Sequence, residues 1–169
     1  MAYGYMRFIF NAKIWQKEAE PMSLYLSYSP EDTFRIAEEI AEKAVSGMVI
    51  SLDGELGAGK TVFTKGFAKG LGISDDISSP TFNILKSYHG GKLPLHHFDV
   101  YRIGDISEMD EIGYEDCFYG DGVSLIEWGS MIDDILPEDA LRITIGKDPA
   151  KGYDYREIEI KQKNEDTVH

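Results

Sequence analysis

Cysteine is nearly absent from this 169-residue chain: Cys117 stands alone. An intramolecular disulfide is therefore excluded, a cysteine-based zinc site lacks ligands, and a reducing compartment, the cytoplasm, is the expected setting. Long apolar runs are missing too. No stretch approaches the roughly 18 residues of a membrane span. Arg7, Asn11 and Lys13 break up the aromatic N-terminal segment before it could serve as a signal-peptide core. Positive charge is scarcest in the middle of the chain. Between Ile103 and Leu141 there is no lysine or arginine against twelve acids, so this stretch holds nearly all of the net charge of −13; the rest carries 18 acids and 17 bases. Tight unaided binding to nucleic acid or to an anionic membrane needs a basic footprint, which this balance does not supply. A basic protein partner is compatible with it.

What is present is the composition of a folded protein. Hydrophobic residues make up 43% and aromatics 12%, and a chain of this length buries roughly 70% of its unfolded surface in one domain. Leu24 to Tyr28 reads as a short strand. Ser29-Pro30-Glu31-Asp32 has the chemistry of a helix start: a hydroxyl to cap, a proline in the first turn and acids at the positive end. Phe34, Ala37, Ile40, Ala41 and Ala44 follow at helical spacing, up to Gly47. Met48 to Leu52 is a buried-strand run, and Thr61 to Lys69 a helix closed by Gly70 and Gly72. Phe82 to Tyr88 and Leu93 to Val100 predict two strands joined at Gly90-Gly91. Asp105 to Cys117 predicts one or two short acidic helices; Val123 to Glu127, Leu141 to Ile145 and Tyr155 to Ile160 predict strands. Strands alternating with helices imply an α/β fold: a single domain with a mixed, mostly parallel central sheet flanked by helices. Residues 22–162 form that domain. Residues 1–21 are expected to be an N-terminal extension, from a start codon placed too early or as an ordinary extra strand or tail, and 163–169 a C-terminal tail.

The segment from Gly54 to Thr61, GELGAGKT, satisfies G-x-x-x-x-G-K-[ST] and lies between a predicted buried strand and a predicted helix. That context predicts the P-loop NTPase fold. Gly57 and Gly59 let the backbone turn tightly with N–H groups pointing at phosphate oxygens, and the following helix aims its positive end at the same place. Gly57, Ala58, Gly59, Lys60, Thr61 and Val62 are the expected nucleotide-binding residues, with Lys60 on the β/γ-phosphates and the Thr61 hydroxyl on Mg²⁺. A carboxylate is needed to hold Mg²⁺ from the other side. Two predicted strands end in one, at Asp99 and at Glu127, where α/β folds bind ligands.

The glycine loop together with Ser79-Pro-Thr-Phe82, His97-Phe-Asp-Val-Tyr-Arg102 and Leu125-Ile-Glu-Trp128 resembles the TsaE (YjeE) family, from about Tyr25 to Ile160. The resemblance implies a bacterial ATPase, weak alone, that binds ATP and Mg²⁺ and works with two partners, TsaD and TsaB. TsaD threonylcarbamoylates adenosine 37 of tRNA, so no stable direct tRNA binding is expected of this chain, and no membrane. By the same resemblance Glu127 is the likelier Mg²⁺ ligand. Asp99 sits beside the metal or orients the attacking water, and Thr81 is a switch threonine sensing the γ-phosphate. Trp128 is expected to pack in the core. Glu31 and Arg156 fall near an N-terminal nucleotide contact and a late basic residue of that family, without a firm motif at either.

Adjacent His96 and His97 face opposite sides of a strand and cannot chelate one metal; His97 shares a face with Asp99 and is placed to orient it. Cys117, in acidic surroundings, is not a reactive thiolate. Three rival readings remain. A small P-loop kinase brings arginines to a lid, whereas this chain has five in all and none in the acidic stretch. A GTPase carries Asn-Lys-x-Asp, absent here. A nucleotide-gated interaction module shares the site but not the turnover. Arg102 is the best internal candidate for an arginine finger, and part of the acidic stretch is expected to dock on a basic surface of TsaD and TsaB.

Overall fold

The computed structural model describes residues 22–162; the expected extension and tail lie outside the described residues. Strand β1 (Met22–Ser27) leads into helix α1 (Pro30–Glu42), then β2 (Val49–Asp53), α2 (Lys60–Gly70), β3 (Leu85–Tyr88) and β4 (Leu95–Asp99). Two short helices, α3 (Glu108–Glu111) and α4 (Tyr114–Phe118), precede β5 (Val123–Glu127). A 3-10 segment (Gly129–Ile135), β6 (Leu141–Lys147) and β7 (Arg156–Gln162) complete the chain. The strands form one sheet in the order β1-β7-β6-β2-β5-β4-β3. The pairs β2–β5, β2–β6 and β4–β5 are parallel, and only β7 and β3 run against the rest. The expected fold class, a mixed and mostly parallel α/β sheet flanked by helices, is the one observed.

Alternation along each strand builds two cores. Ile50 and Leu52 of β2, with Leu125 and Ile143, face α1 and α2. Val49, Phe98 and Ile126 face α3, α4 and the 3-10 segment on the other side. Helix α1 starts as its sequence requires: the Ser29 hydroxyl accepts from the Asp32 N–H at 3.1 Å and Pro30 opens the first turn. It ends at Glu42, earlier than Gly47, which instead takes φ +85 in the turn before β2. Two glycines let α2 lie directly on α1. A Cβ at Gly66 would stand 2.2 Å from the Phe34 carbonyl oxygen, and one at Gly70 2.3 Å from that of Glu38. This contact fixes where α2 begins above the sheet.

The expected strand from Phe82 starts later, at Leu85. A turn closes first, with the Ile84 N–H on the Pro80 oxygen at 2.8 Å and Ile84 itself at φ +64, leaving Phe82 85% exposed. Strands β2, β4 and β5 finish at one edge, with Asp99 directly opposite Glu127 and Glu127 opposite Leu52. No helix among the described residues is long and apolar enough to cross a membrane.

Candidate functional site

The glycine loop leaves the end of β2 and enters α2 without a break. Asp53, the last residue of β2, accepts from the Ser51 hydroxyl and from the N–H and hydroxyl of Ser130, which pins the loop's start to the segment after β5. Gly57 and Gly59 adopt φ +76 and +105, the left-handed region that L side chains rarely enter. Gly59 is the N-cap of α2 and offers no side chain to the first-turn N–H groups. These groups and the helix dipole therefore face the space beside the loop.

That space is a cleft of about 530 Å³. Gly57, Gly59, Lys60, Thr61 and Val62 form one wall; Ser79 and Thr81 form another; Asp99, Glu127 and Trp128 come from the sheet edge. The sequence-predicted residues thus meet in one place, apart from Ala58. The Ala58 side chain is buried in the first core and its N–H bonds to the Glu55 oxygen at 3.0 Å. The Lys60 ammonium lies 2.5 Å from the Gly54 oxygen and 3.2 Å from that of Glu55, with the Trp128 ring centroid at 3.9 Å. Burial pushes the Lys60 ammonium below the usual lysine range, while Glu127, Asp99 and Asp53 pull it back.

The two acids are held differently. Asp99, 6% exposed, accepts from the Ser79 hydroxyl on Oδ2 at 2.5 Å and from the Tyr101 N–H on Oδ1 at 3.1 Å. The Thr81 hydroxyl reaches Ser79 Oγ at 3.4 Å. Glu127, 3% exposed, has one oxygen, Oε1, 2.9 Å from Nε2 of His97, which is fully buried. His97 therefore serves Glu127, not Asp99 as expected. The two strands are parallel with Asp99 beside Glu127, and a side chain two residues back leans along the strand toward its neighbour's acid. His96 faces away, to Ser87 and the Asp121 carbonyl.

Trp128 also departs from expectation. It is half-buried, at φ +63; one side meets the second core, while its ring covers Lys60 and lies 4.9 Å from the Tyr101 ring. Arg102 sits exposed at the cleft mouth over the Phe82 ring, at 4.8 Å. Glu31 lines an open groove between α1 and α2, beside Val62. Sequence reasoning missed Ser79 as the Asp99 partner; its place in the Ser-Pro-Thr motif was the only signal. Burial first, and Asp116 second, push the Cys117 thiol up. Among the described residues no three His, Cys, Asp or Glu side chains gather as a metal cage. The oxygen donors Thr61, Glu127 and Asp99 suit a hard cation that takes its other ligands from phosphate and water, as Mg²⁺ does.

Comparison with known proteins adds the lineage. The family model for the threonylcarbamoyl adenosine biosynthesis protein TsaE matches residues 27–158, which include every residue of the cleft. A Bacillus subtilis protein named tRNA threonylcarbamoyladenosine biosynthesis protein TsaE is 50% identical over 130 residues, 77% of this chain and 79% of its own length. A Treponema pallidum protein of the same name is 44% identical over 120 residues, 71% of this chain and 88% of its own. The crystal structure of Bacillus subtilis YdiB aligns with a TM-score of 0.73 at 42% identity, covering 84% of this chain and 86% of that one. With the glycine loop, the two strand-end acids and the Ser-Pro-Thr turn all inside the matched region, this chain belongs to the TsaE family of tRNA threonylcarbamoyladenosine biosynthesis proteins.

Proposed function

We propose that this chain binds ATP with Mg²⁺ on the glycine loop, hydrolyses it, and thereby supports threonylcarbamoylation of adenosine 37 of tRNA together with TsaD and TsaB in the cytoplasm. The observation that carries this reading is convergence. Lys60, Thr61, Thr81, Asp99 and Glu127 come from four separate segments and line one cleft at the N-terminus of α2. Lys60 and the free loop N–H groups hold the phosphates. Thr61 and Glu127 hold Mg²⁺, which when bound offsets phosphate charge. Glu127 suits that role because its Oε2 is not taken by His97, whereas each Asp99 oxygen already accepts a hydrogen bond. Asp99 then acts through Ser79 and Thr81 to orient the attacking water.

The acidic surface suits a protein partner. Asp110, Glu111, Glu115 and Asp116 on α3 and α4 are all exposed, and they fit a basic face of TsaD and TsaB better than tRNA. A nucleotide-gated module without essential turnover is the second reading. It is favoured by Arg102, which rests on Phe82 at the mouth and leaves Lys60 as the cation in contact with the loop from inside. A small kinase is the weakest reading, for want of lid arginines.

The deciding measurement compares Lys60→Ala and Glu127→Ala for ATP binding, ATP turnover and tRNA modification with reconstituted TsaD and TsaB. Lys60→Ala should weaken ATP binding by about 100-fold. Glu127→Ala should abolish Mg²⁺-dependent turnover. Full modification activity in both variants would sink the ATPase reading. Modification retained only where ATP binds without turnover would favour the gated module.

A further inference from the structure

The glycine loop is gripped along five successive carbonyls, two from within the cleft and three by cations that do not line it. Those of Gly54 and Glu55 accept from Lys60. The Leu56 oxygen accepts from Lys147 Nζ at 3.0 Å. The Ala58 and Gly57 oxygens accept from Arg156 Nε and Nη2 at 2.8 and 3.2 Å. Lys60 belongs to the loop's own motif, but the other two cations do not. Lys147 ends β6, Arg156 begins β7, and the two are directly paired across that antiparallel ladder. Arg156 also donates through Nη1 to the Tyr153 and Tyr155 carbonyls at 2.8 and 2.7 Å. Among the described residues no carboxylate stands within ion-pair reach of it. Its guanidinium is committed to four backbone oxygens, tying the β6–β7 connection to the loop.

Peptide geometry gives this grip a consequence. In a trans peptide the C=O of one residue and the N–H of the next point opposite ways. Holding the Leu56, Gly57 and Ala58 oxygens outward turns the N–H groups of Gly57, Ala58 and Gly59 away from the cations. The Ala58 N–H is used on Glu55. Those of Gly57 and Gly59 have no backbone acceptor among the described residues and are left for an anion; both residues line the cleft, which Lys147 and Arg156 do not, while Arg156 lines a smaller pocket of about 170 Å³ on the loop with Pro30, Thr33 and Asp154. Glycines at left-handed φ have the most backbone freedom to lose on ordering, so an outside hold on this loop lowers the cost of binding.

We infer that Lys147 and Arg156 are positioning residues for phosphate binding: a clasp from the β6–β7 pair that presets the loop amides through the loop carbonyls and not by contact with the phosphates. The inference rests on the ATP reading above for its ligand, but not for its effect on the loop.

The test measures binding of Mg-ATP and, separately, of Mg-tripolyphosphate, which has neither base nor sugar. The chains are wild type, Lys60→Ala, Arg156→Gln, Arg156→Lys and Lys147→Met. Amide hydrogen exchange of residues 55–60 is followed in the nucleotide-free proteins, with thermal melts as the check on folding. Arg156→Gln should weaken both ligands alike by about tenfold and Lys147→Met by about threefold, and both should speed exchange at Gly57 and Gly59. Arg156→Lys should recover little, because a single ammonium replaces the three guanidinium nitrogens that hold four carbonyls at once. Wild-type affinity and exchange in Arg156→Lys would mean that charge alone acts, and would overturn the clasp. A loss confined to ATP would place Arg156 on the base or sugar and overturn it equally. If the ATP reading itself fails, wild type and Lys60→Ala will bind both ligands equally poorly. In that case loop exchange in Arg156→Gln decides the clasp by itself, with an unchanged rate counting against it.

Discussion

Two walls line the cleft, and they are held in contrasting ways. The glycine loop has five carbonyls bound by three cations, and the helix behind it is seated on α1 through Gly66 and Gly70. The Ser79–Ile84 wall hangs from a few contacts: Ser79 on Asp99, the Ile84 N–H on Pro80, and the Ile84 oxygen on the Asp99 N–H. Among the described residues its Thr81 hydroxyl bonds to Ser79 alone, and Phe82 is 85% exposed. The contrast matches the roles proposed for the two sides. A wall that binds phosphate gains from having one arrangement. A wall that reports on the γ-phosphate needs two arrangements close in energy.

Three substitutions probe that contrast, in decreasing order of consequence. Gly66→Ala attacks the rigid wall from behind. Its Cβ would press on the Phe34 backbone, and we expect a loss of about 2 kcal/mol, read as a drop of roughly 6 °C in Tm. A melt unchanged from wild type would show that α1 and α2 are not locked. Thr81→Ala attacks the loose wall. Turnover with the partners should fall about tenfold at unchanged ATP affinity, since the hydroxyl acts after binding; equal losses in binding and turnover would make Thr81 part of the rigid wall instead. Phe82→Ala should leave stability within about 0.5 kcal/mol of wild type by chemical denaturation, because so exposed a ring contributes little to folding. A larger loss would mean that the Arg102 stack holds this wall in place.

Local chemistry was the most legible part of the chain. The glycine loop is contiguous, so its motif shows in eight adjacent letters, and the N-terminus of α1 announced its cap and its proline. The ends of β4 and β5 could be read as acids on strand termini, and the parallel register then set them side by side. The partner of His97 was not legible. Strand alternation shows which face a residue takes, but not which neighbouring strand lies against it. Trp128 was misjudged for a related reason: a large aromatic after a buried strand usually continues the core, whereas here the chain enters a left-handed turn and lays the ring over Lys60. The β3 start was misplaced because alternation from Phe82 looked like a strand, while the turn from Pro80 to Ile84 used those residues first.

Features whose physics is local can be read from the chain alone: helix starts, buried strand runs, the phosphate-type loop, and an acidic stretch without a lysine or arginine. Which atoms meet depends on the fold. Ser79 met Asp99, His97 met Glu127, and Lys147 and Arg156 met the loop's carbonyls. Each of these contacts joins residues far apart in the chain. Such pairings depend on strand order and register across the whole sheet, which no short window of sequence contains.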